Sequence, residues 1–379
     1  MLSYYFLQQY ILIYVLVFLV QGGFFLNFLS KGSYLSQIDN LFFLLFIFLL
    51  IFLTGFRNFE IGTDTLHYVS DYEYLRSFDT WNIDFALERS RLGRDPLFAL
   101  FSFFLGKVFN ATTYIFILSV IFYFSFYFFV KKITNHLYIT VLFSFLCFFF
   151  FLSFGINILR AGISVMFVLL GFSYFVKQFE LVKFRDLKSK QKTMIIICIT
   201  IGVLFHSASW ILVLALIISR LIKLKTFFYI AILIVCLILA IFKFTITDLP
   251  IVGPLFMMNE RTDAYLSGDG SQLPSGVNVY ILFFQGLIIL YYLANKKIFE
   301  ENSIGIIFIR SYLILCSFYM LCLNISFSDR FGIYSWVLMP LILSFPILFN
   351  KSPKRKNLMY FSIFSLVYFL LMLYRIDLA

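Results

Sequence analysis

Residues 41–55 read LFFLLFIFLLIFLTG, an apolar run without a single charged side chain. Runs of this kind, near 20 residues long, form helices that cross the roughly 30 Å hydrocarbon core of a bilayer. Hydrophobic residues make up 62% of the 379-residue chain and charged residues only 13%. Soluble domains contain about 45–50% apolar and about 25% charged residues. The composition therefore excludes a water-soluble fold, a secreted disulfide scaffold and a disordered chain.

Similar apolar runs recur along the chain and predict an all-α polytopic membrane protein, one multi-pass domain over residues 1–379 with about 12 transmembrane helices. The predicted spans are Tyr10–Leu29, Leu41–Gly55, Thr113–Val130, Tyr138–Phe154, Arg160–Val176, Met194–Phe205, Ala208–Ile222, Phe227–Lys243, Val279–Ala294, Ile304–Asn324, Phe331–Phe349 and Leu358–Tyr374. A further apolar segment, Pro96–Val108, is only roughly 20 Å long as a helix. Asp95 is a good N-cap and Pro96 a good first helical residue. We expect this segment to form a re-entrant or interfacial helix on the outer side.

Basic loops predict the orientation of the chain, because lysine and arginine concentrate in cytoplasmic loops. Five such segments occur, at residues 131–132, 177–192, 220–225, 296–297 and 351–356. The formal net charge of +11 reflects these loops, so it does not indicate affinity for nucleic acid. Two long loops, near residues 56–95 and 244–278, then face outward together with both termini. Connections of this length are usually functional or disordered.

Ionisable residues at the ends of apolar spans are candidates for function, since they are costly in hydrocarbon. Four lie at the predicted outer level: Arg57, Arg160, His206 and Arg330. Arginine forks bind phosphate oxygens through paired, charge-assisted hydrogen bonds. The three arginines therefore predict a site for a lipid phosphate or diphosphate. The alternative for each arginine alone is an interfacial side chain that snorkels to the headgroups.

A second group of candidates lies in the first outer loop. Asp64 stands in the turn Gly62-Thr63-Asp64-Thr65, and Tyr68 and Tyr72 follow it. Carboxylates and aromatic rings suit sugar binding, although an ordinary turn and helix cap would also explain this stretch. A general base contributes typically 10²–10⁴-fold to a proton transfer. Both Asp64 and His206 are candidates for that role, and we favour Asp64 because its acid-rich loop can reach an acceptor sugar.

Motifs for cofactors are not evident in the sequence. There is no dinucleotide fingerprint, P-loop or His/Cys metal motif, and the five cysteines lie singly inside apolar runs. We predict no metal and no organic cofactor.

The stretch GFRNFEIGTDTLHY at residues 55–68 resembles the EpsG family of exopolysaccharide proteins, which are relatives of the Wzy-type O-antigen and capsule polymerases. Four further blocks follow in the family's order: Asp95-Pro96-Leu97-Phe98, Arg160-Ala161-Gly162-Ile163, Leu204-Phe205-His206-Ser207-Ala208-Ser209, and Asp329-Arg330-Phe331 with Tyr334. Leu97 and Ala161 replace the glycine and glutamine of the family pattern. The resemblance adds Asp95 and Tyr334 to the sugar-binding candidates.

The resemblance implies a polymerase at the outer face of the bacterial inner membrane, with its active site facing the periplasm. It would transfer a glycan chain from undecaprenyl diphosphate onto a second lipid-linked repeat unit. The expected partners are these two lipid-linked glycans, membrane lipids and a chain-length regulator. An O-antigen ligase would use the same donor with a different acceptor. A flippase would also need a cationic cavity, but would more often show repeat-related halves and access from both sides.

Overall fold

A computed structural model describes residues 2–31, 36–77, 95–134, 136–177, 180–250, 279–325, 328–349 and 355–376. Within these ranges the chain is helical except for turns and one two-stranded antiparallel ladder. It divides into two units, residues 1–210 with 354–379, and residues 211–353. Most of the predicted second outer loop, residues 251–278, and residues 78–94 of the first lie outside the described part.

The first unit contains ten helices of the described chain and the short ladder. The helices are α1 (Leu2–Lys31), α2 (Ser36–Gly55), α3 (Thr65–Arg76), α4 (Pro96–Gly106), α5 (Ala111–Ile133), α6 (Tyr138–Leu146), α7 (Phe149–Ile156), α8 (Leu159–Ser173), α9 (Ser189–Phe205) and α17 (Arg355–Ile376). Strand β1 (Val176–Lys177) pairs with β2 (Glu180–Leu181) in the basic segment after α8. Helix α5 packs against α2 and α8, and α8 packs against α9.

The second unit contains the remaining described helices. They are α10 (Trp210–Leu221), α11 (Thr226–Ile241), α12 (Val279–Ala294), α13 (Lys296–Glu300), α14 (Ser303–Cys322), α15 (Asp329–Trp336) and α16 (Met339–Leu348). Helix α14 is the centre of this unit, because α11, α13, α15 and α16 all pack against it. Its inward face is lined by buried side chains such as Phe308, Tyr312 and Tyr319.

The prediction of twelve spans is not confirmed. In the described chain, five stretches are long and apolar enough to cross a membrane: residues 5–25, 36–55, 111–133, 303–322 and 329–348. A bent pair, α6 with α7, raises the number to six if it counts as one span. The other predicted spans also form helices, and all of these except the 22-residue α17 have 17 residues or fewer. Helix α8, for example, has 15 residues, or roughly 22 Å, which is less than the roughly 30 Å core.

The predicted span Tyr138–Phe154 is the clearest departure. The structure breaks it into α6 and α7, whose axes differ by 86°. Phe148 adopts an extended backbone at the break, and the Tyr10 hydroxyl donates to the carbonyl oxygen of Leu146 at 3.0 Å. A carbonyl released at a helix end needs such a partner where water is scarce. Hydropathy alone does not reveal this break, because both halves are equally apolar.

Candidate functional site

The close packing of α8 against α9 sets the frame of the site. A Cβ on Gly202 of α9 would lie 2.9 Å from the carbonyl oxygen of Ser164, which real side chains do not tolerate. The Ser164 hydroxyl donates to the Gly202 carbonyl oxygen at 2.5 Å. Glycine therefore lets the two helices approach closely. Arg160 at the start of α8 and His206 just after α9 reach the same end of this pair.

Asp95, which directly precedes the first residue of α4, lies at this same end of the α8–α9 pair. The sequence places it at the N-cap, and helix α4 does begin at Pro96, but the carboxylate makes no capping hydrogen bond. Its Oδ2 atom instead accepts from Nη1 of Arg160 at 2.8 Å and contacts Nδ1 of His206 at 3.2 Å. Its Oδ1 atom accepts from the backbone N–H of Ser207 at 3.1 Å. We call Asp95, Arg160 and His206 the carboxylate cluster.

The carboxylate cluster favours the ionised form of Asp95. Burial alone would raise the pKa of this carboxyl group. The hydrogen bond and charge of His206, the charge of Arg160 and the Ser207 N–H outweigh burial, so the pKa lies below its usual value. An ionised carboxylate can only accept, so Nδ1 of His206 donates to it. In the neutral imidazole the lone pair is then on Nε2, which can take up a proton.

Two aromatic rings flank the guanidinium group of Arg160. Its Cζ atom lies 5.7 Å from the ring centre of Tyr68 and 5.6 Å from that of Phe98, within the range of cation–π attraction. The Nε atom has no hydrogen-bond partner among the described residues. The Arg160 side chain is 18% exposed and that of His206 is 22% exposed. The arginine and histidine side chains are therefore partly accessible, whereas the Nε atom of Arg160 and the carboxylate are buried.

Arg57, a predicted diphosphate ligand, has a different environment. It is buried, and its guanidinium group donates to the carbonyl oxygens of Thr54, Ile61 and Ile156 and to the Thr65 hydroxyl. Burial lowers its pKa to about 10, so it remains charged at neutral pH. These contacts suit an arginine that ties the turn after α2 to the end of α7. They leave little of the fork for a ligand.

The turn that contains Asp64 is built on Gly62, which has a φ of +95°. A Cβ at this glycine would also collide with the Asn157 side chain. Asp64 occupies the N-cap position of α3 without a side-chain capping bond, and it is partly exposed. Its carbonyl oxygen accepts from the backbone N–H of Tyr68. Asp64 thus lies one helical turn from a residue that contacts the carboxylate cluster.

The remaining predicted residues lie apart from this cluster or in the second unit. Tyr72 is fully buried, stacks on Tyr114 with ring centres 4.0 Å apart, and donates to the Phe109 carbonyl oxygen. Tyr334 is buried inside α15, and Arg330 is exposed at the start of that helix. Burial of both tyrosines suits packing, whereas a sugar ligand needs an open ring face. The predicted roles of these residues stay predictions.

Two groups that contact the carboxylate cluster were not predicted from the sequence. The backbone N–H of Ser207 has no sequence signal, since any residue but proline supplies one. Phe98 stands three residues after Asp95, where one helical turn directs it to the same side. That spacing is a signal that could have been used. Among the described residues, no group of three or more His, Cys, Asp or Glu side chains could hold a metal ion.

The fold and site define an α-helical, multi-pass membrane protein in which a buried carboxylate joins an arginine and a histidine from separate helices. The chain belongs to the EpsG family, which matches residues 40–377. This is a family of Wzy-type polysaccharide polymerase-like proteins, and membership supports a role of the polysaccharide-polymerase type. The five sequence blocks correctly indicated this family. No curated protein and no solved structure matches the chain significantly.

Proposed function

We propose that the protein is a glycosyltransferase that polymerises lipid-linked repeat units, with the carboxylate cluster as its reaction centre. An acceptor sugar hydroxyl attacks the anomeric carbon of the donor glycan. The bond from that carbon to the diphosphate oxygen breaks, and undecaprenyl diphosphate leaves. The proposed site faces the periplasm, outside the inner membrane. The observation that supports this most is the shared contact of Arg160 and His206 with one oxygen of Asp95.

His206 is the proposed general base. Its hydrogen bond to Asp95 orients the imidazole and leaves Nε2 to take the proton of the acceptor hydroxyl. Asp95 also stabilises the imidazolium that results, as a positioning residue. This reverses the preference for Asp64, whose carboxylate makes no comparable hydrogen bond in the described chain. Asp64 remains the second candidate.

Arg160 is the proposed ligand of the diphosphate. The leaving group carries negative charge and needs a cation more than it needs a proton. Asp95 holds one nitrogen of Arg160, and the side chain as a whole is partly exposed. The aromatic rings beside the guanidinium group favour a fixed orientation. Arg330 stays a candidate for this charge on the sequence alone.

The test is polymer formation by purified protein on undecaprenyl-diphosphate-linked repeat units across pH. His206→Gln keeps a hydrogen-bonding side chain but cannot accept a proton near neutral pH, so turnover should fall by about 10²-fold or more. Asp64→Asn should retain most activity. The reverse pattern would make Asp64 the base, and full activity of both variants would remove both residues from the mechanism.

A deletion strain separates the alternative functions. Loss of a polymerase leaves a single repeat unit on the final carrier. Loss of a ligase leaves long polymer on undecaprenyl diphosphate, and loss of a flippase leaves repeat units inside the cell. Long lipid-linked polymer in the deletion strain would therefore contradict the proposed function.

A further inference from the structure

Arg310 is an ionisable residue inside α14, one of the helices long and apolar enough to cross a membrane. It follows Ser303 by seven positions, or roughly 10 Å along the helix axis. A charged side chain at such a position is costly unless it is paired, and it usually marks a binding or transport site. The mechanism proposed above makes no use of it.

Aromatic residues of the second unit surround its guanidinium group. The Cζ atom lies 5.7 Å from the ring centre of Tyr229 on α11. Arg310 also interacts electrostatically with Tyr292 on α12. The Tyr292 hydroxyl donates to Oε1 of Glu300 at 3.3 Å, and Glu300 pairs with Lys296 at 3.8 Å. Glu300, the acid that Tyr292 contacts, is therefore already paired with a lysine.

The guanidinium group of Arg310 has one donor atom without a partner among the described residues. Its Nε atom is buried and has no hydrogen-bond partner in the described part of the chain. None of the ion pairs between described residues includes Arg310. A guanidinium group has five N–H donors in a planar fork, and a buried donor without a partner costs free energy. Within the described residues, Arg310 is therefore a cation without a counterion.

Further basic residues lie at the same junction. The hydroxyl of Ser311, next to Arg310, lies 2.8 Å from that of Ser219, so the last turn of α10, which includes Arg220, is adjacent to α14. The Tyr229 hydroxyl donates to the Ile222 carbonyl oxygen. The connection from α10 to α11 exposes Lys223 and Lys225. This is the end of the helices that the basic loops flank, and the positive-inside rule assigns it to the cytoplasmic leaflet.

We propose that Arg310 is the centre of a phosphate-binding site, distinct from the carboxylate cluster, at the basic end of the second unit. The planar fork of an arginine matches two phosphate oxygens, and the lysines add attraction for an anion. The cytoplasmic leaflet is rich in anionic lipids, so a phospholipid headgroup is one source of the phosphate. Free inorganic phosphate is the other source of the same chemistry.

The experiment measures the thermal unfolding midpoint of the full-length protein in detergent micelles. Three probes are added in separate titrations: dioleoyl phosphatidylglycerol, dioleoylglycerol with the same chains but no phosphate, and inorganic phosphate. A ligand that binds only the folded protein stabilises it by RT ln(1 + [L]/Kd), so the midpoint rises with ligand concentration. We expect phosphatidylglycerol to raise it and dioleoylglycerol to leave it unchanged. An equal response to inorganic phosphate would identify the soluble ion as the source and would also support the site.

Variants assign the response to this residue. Arg310→Gln should weaken apparent phosphatidylglycerol affinity by roughly tenfold or more, since charge-assisted hydrogen bonds are lost. Arg310→Lys should be intermediate, because it keeps the charge without the fork. Lys297→Gln, at a lysine that is 85% exposed, should match the unaltered protein. An unaltered protein that responds to neither phosphate probe would overturn the proposal, whether or not Arg310→Gln folds. A full response of Arg310→Lys and Arg310→Gln would overturn it too.

Discussion

The Nδ1 atom of His206 lies 3.2 Å from the Oδ2 atom of Asp95, although 111 positions separate the two residues. The same oxygen accepts from Arg160, so one carboxylate fixes both the imidazole and the guanidinium group. A single carboxylate thus sets the geometry of a candidate base and of a candidate diphosphate ligand. Substitutions at Asp95 should consequently disturb both.

Asp95→Asn should reduce polymer formation by about 10²–10⁴-fold, because an amide stabilises neither the imidazolium nor the required tautomer.

The pH dependence of stability gives a second readout for the same variant. A depressed carboxyl pKa contributes stability that is complete above the unfolded value of about 3.9 and is lost as pH falls through the folded value. In Asp95→Asn, the free energy of unfolding should therefore fall less steeply as the pH drops below about 4. Ser207→Ala, which keeps the backbone N–H, is the matched control and should be nearly silent.

Arg160→Lys should abolish most polymer formation while the protein still inserts into the membrane. Lysine keeps the charge but loses the fork that can hold Asp95 and a phosphate oxygen together. The control is Arg185→Lys, at an arginine that is 88% exposed in the basic segment after β2. Normal polymer from Arg160→Lys, measured per amount of folded protein, would contradict bidentate binding at this position.

Arg57→Gln should act mainly on stability. The change removes charged donors from buried carbonyl oxygens, and each unsatisfied acceptor costs about 1–3 kcal/mol. We expect a lower thermal midpoint, together with near-normal polymer formation per folded molecule at low temperature. A stable Arg57→Gln variant that makes no polymer would instead restore Arg57 to the predicted diphosphate site.

Gly202→Ala should lower activity through geometry. The new methyl group would meet the Ser164 carbonyl oxygen and push α9 away from α8, which separates His206 from Arg160. Misplacement by about 1 Å can cost roughly 10²-fold in rate. Gly286→Ala is the matched control, since nothing lies within 4 Å of a Cβ there. Equal activity of the two variants would show that the spacing of α8 and α9 is not critical.

Cysteine labelling tests the orientation. Thr63 and Ser189 are both exposed, and the native cysteines are buried, so background labelling should be low. An impermeant thiol reagent added outside should label Thr63→Cys and spare Ser189→Cys. The opposite result would invert the predicted topology and place the carboxylate cluster on the cytoplasmic side.

Neighbouring residues in the sequence correctly indicated where helices begin and end. They did not indicate which side chains from distant parts of the sequence contact each other. The Asp-Pro pair correctly set the start of α4, and the His206 block correctly marked a break between helices. Which side chains meet depends on tertiary packing, so neither signal indicates that Asp95 contacts His206. The same limit applies to Arg57, since a free fork and one bonded to four oxygens look identical in sequence. Hydropathy predicted most helices but not their lengths, because apolar helices too short to cross a bilayer have the same composition as spanning ones.

The wide sequence separation of Asp95 and His206 also has a consequence for biosynthesis. A ribosome that adds about 5–20 residues per second needs several seconds to advance from one to the other. Until Ser207 emerges, the Asp95 carboxylate lacks two of its three partners, and burying it would be costly. Helix α4 should therefore dock onto α9 only late in translation. A nascent chain stalled before His206 emerges would contain the turn at Asp64 and the first helices, but no complete carboxylate cluster.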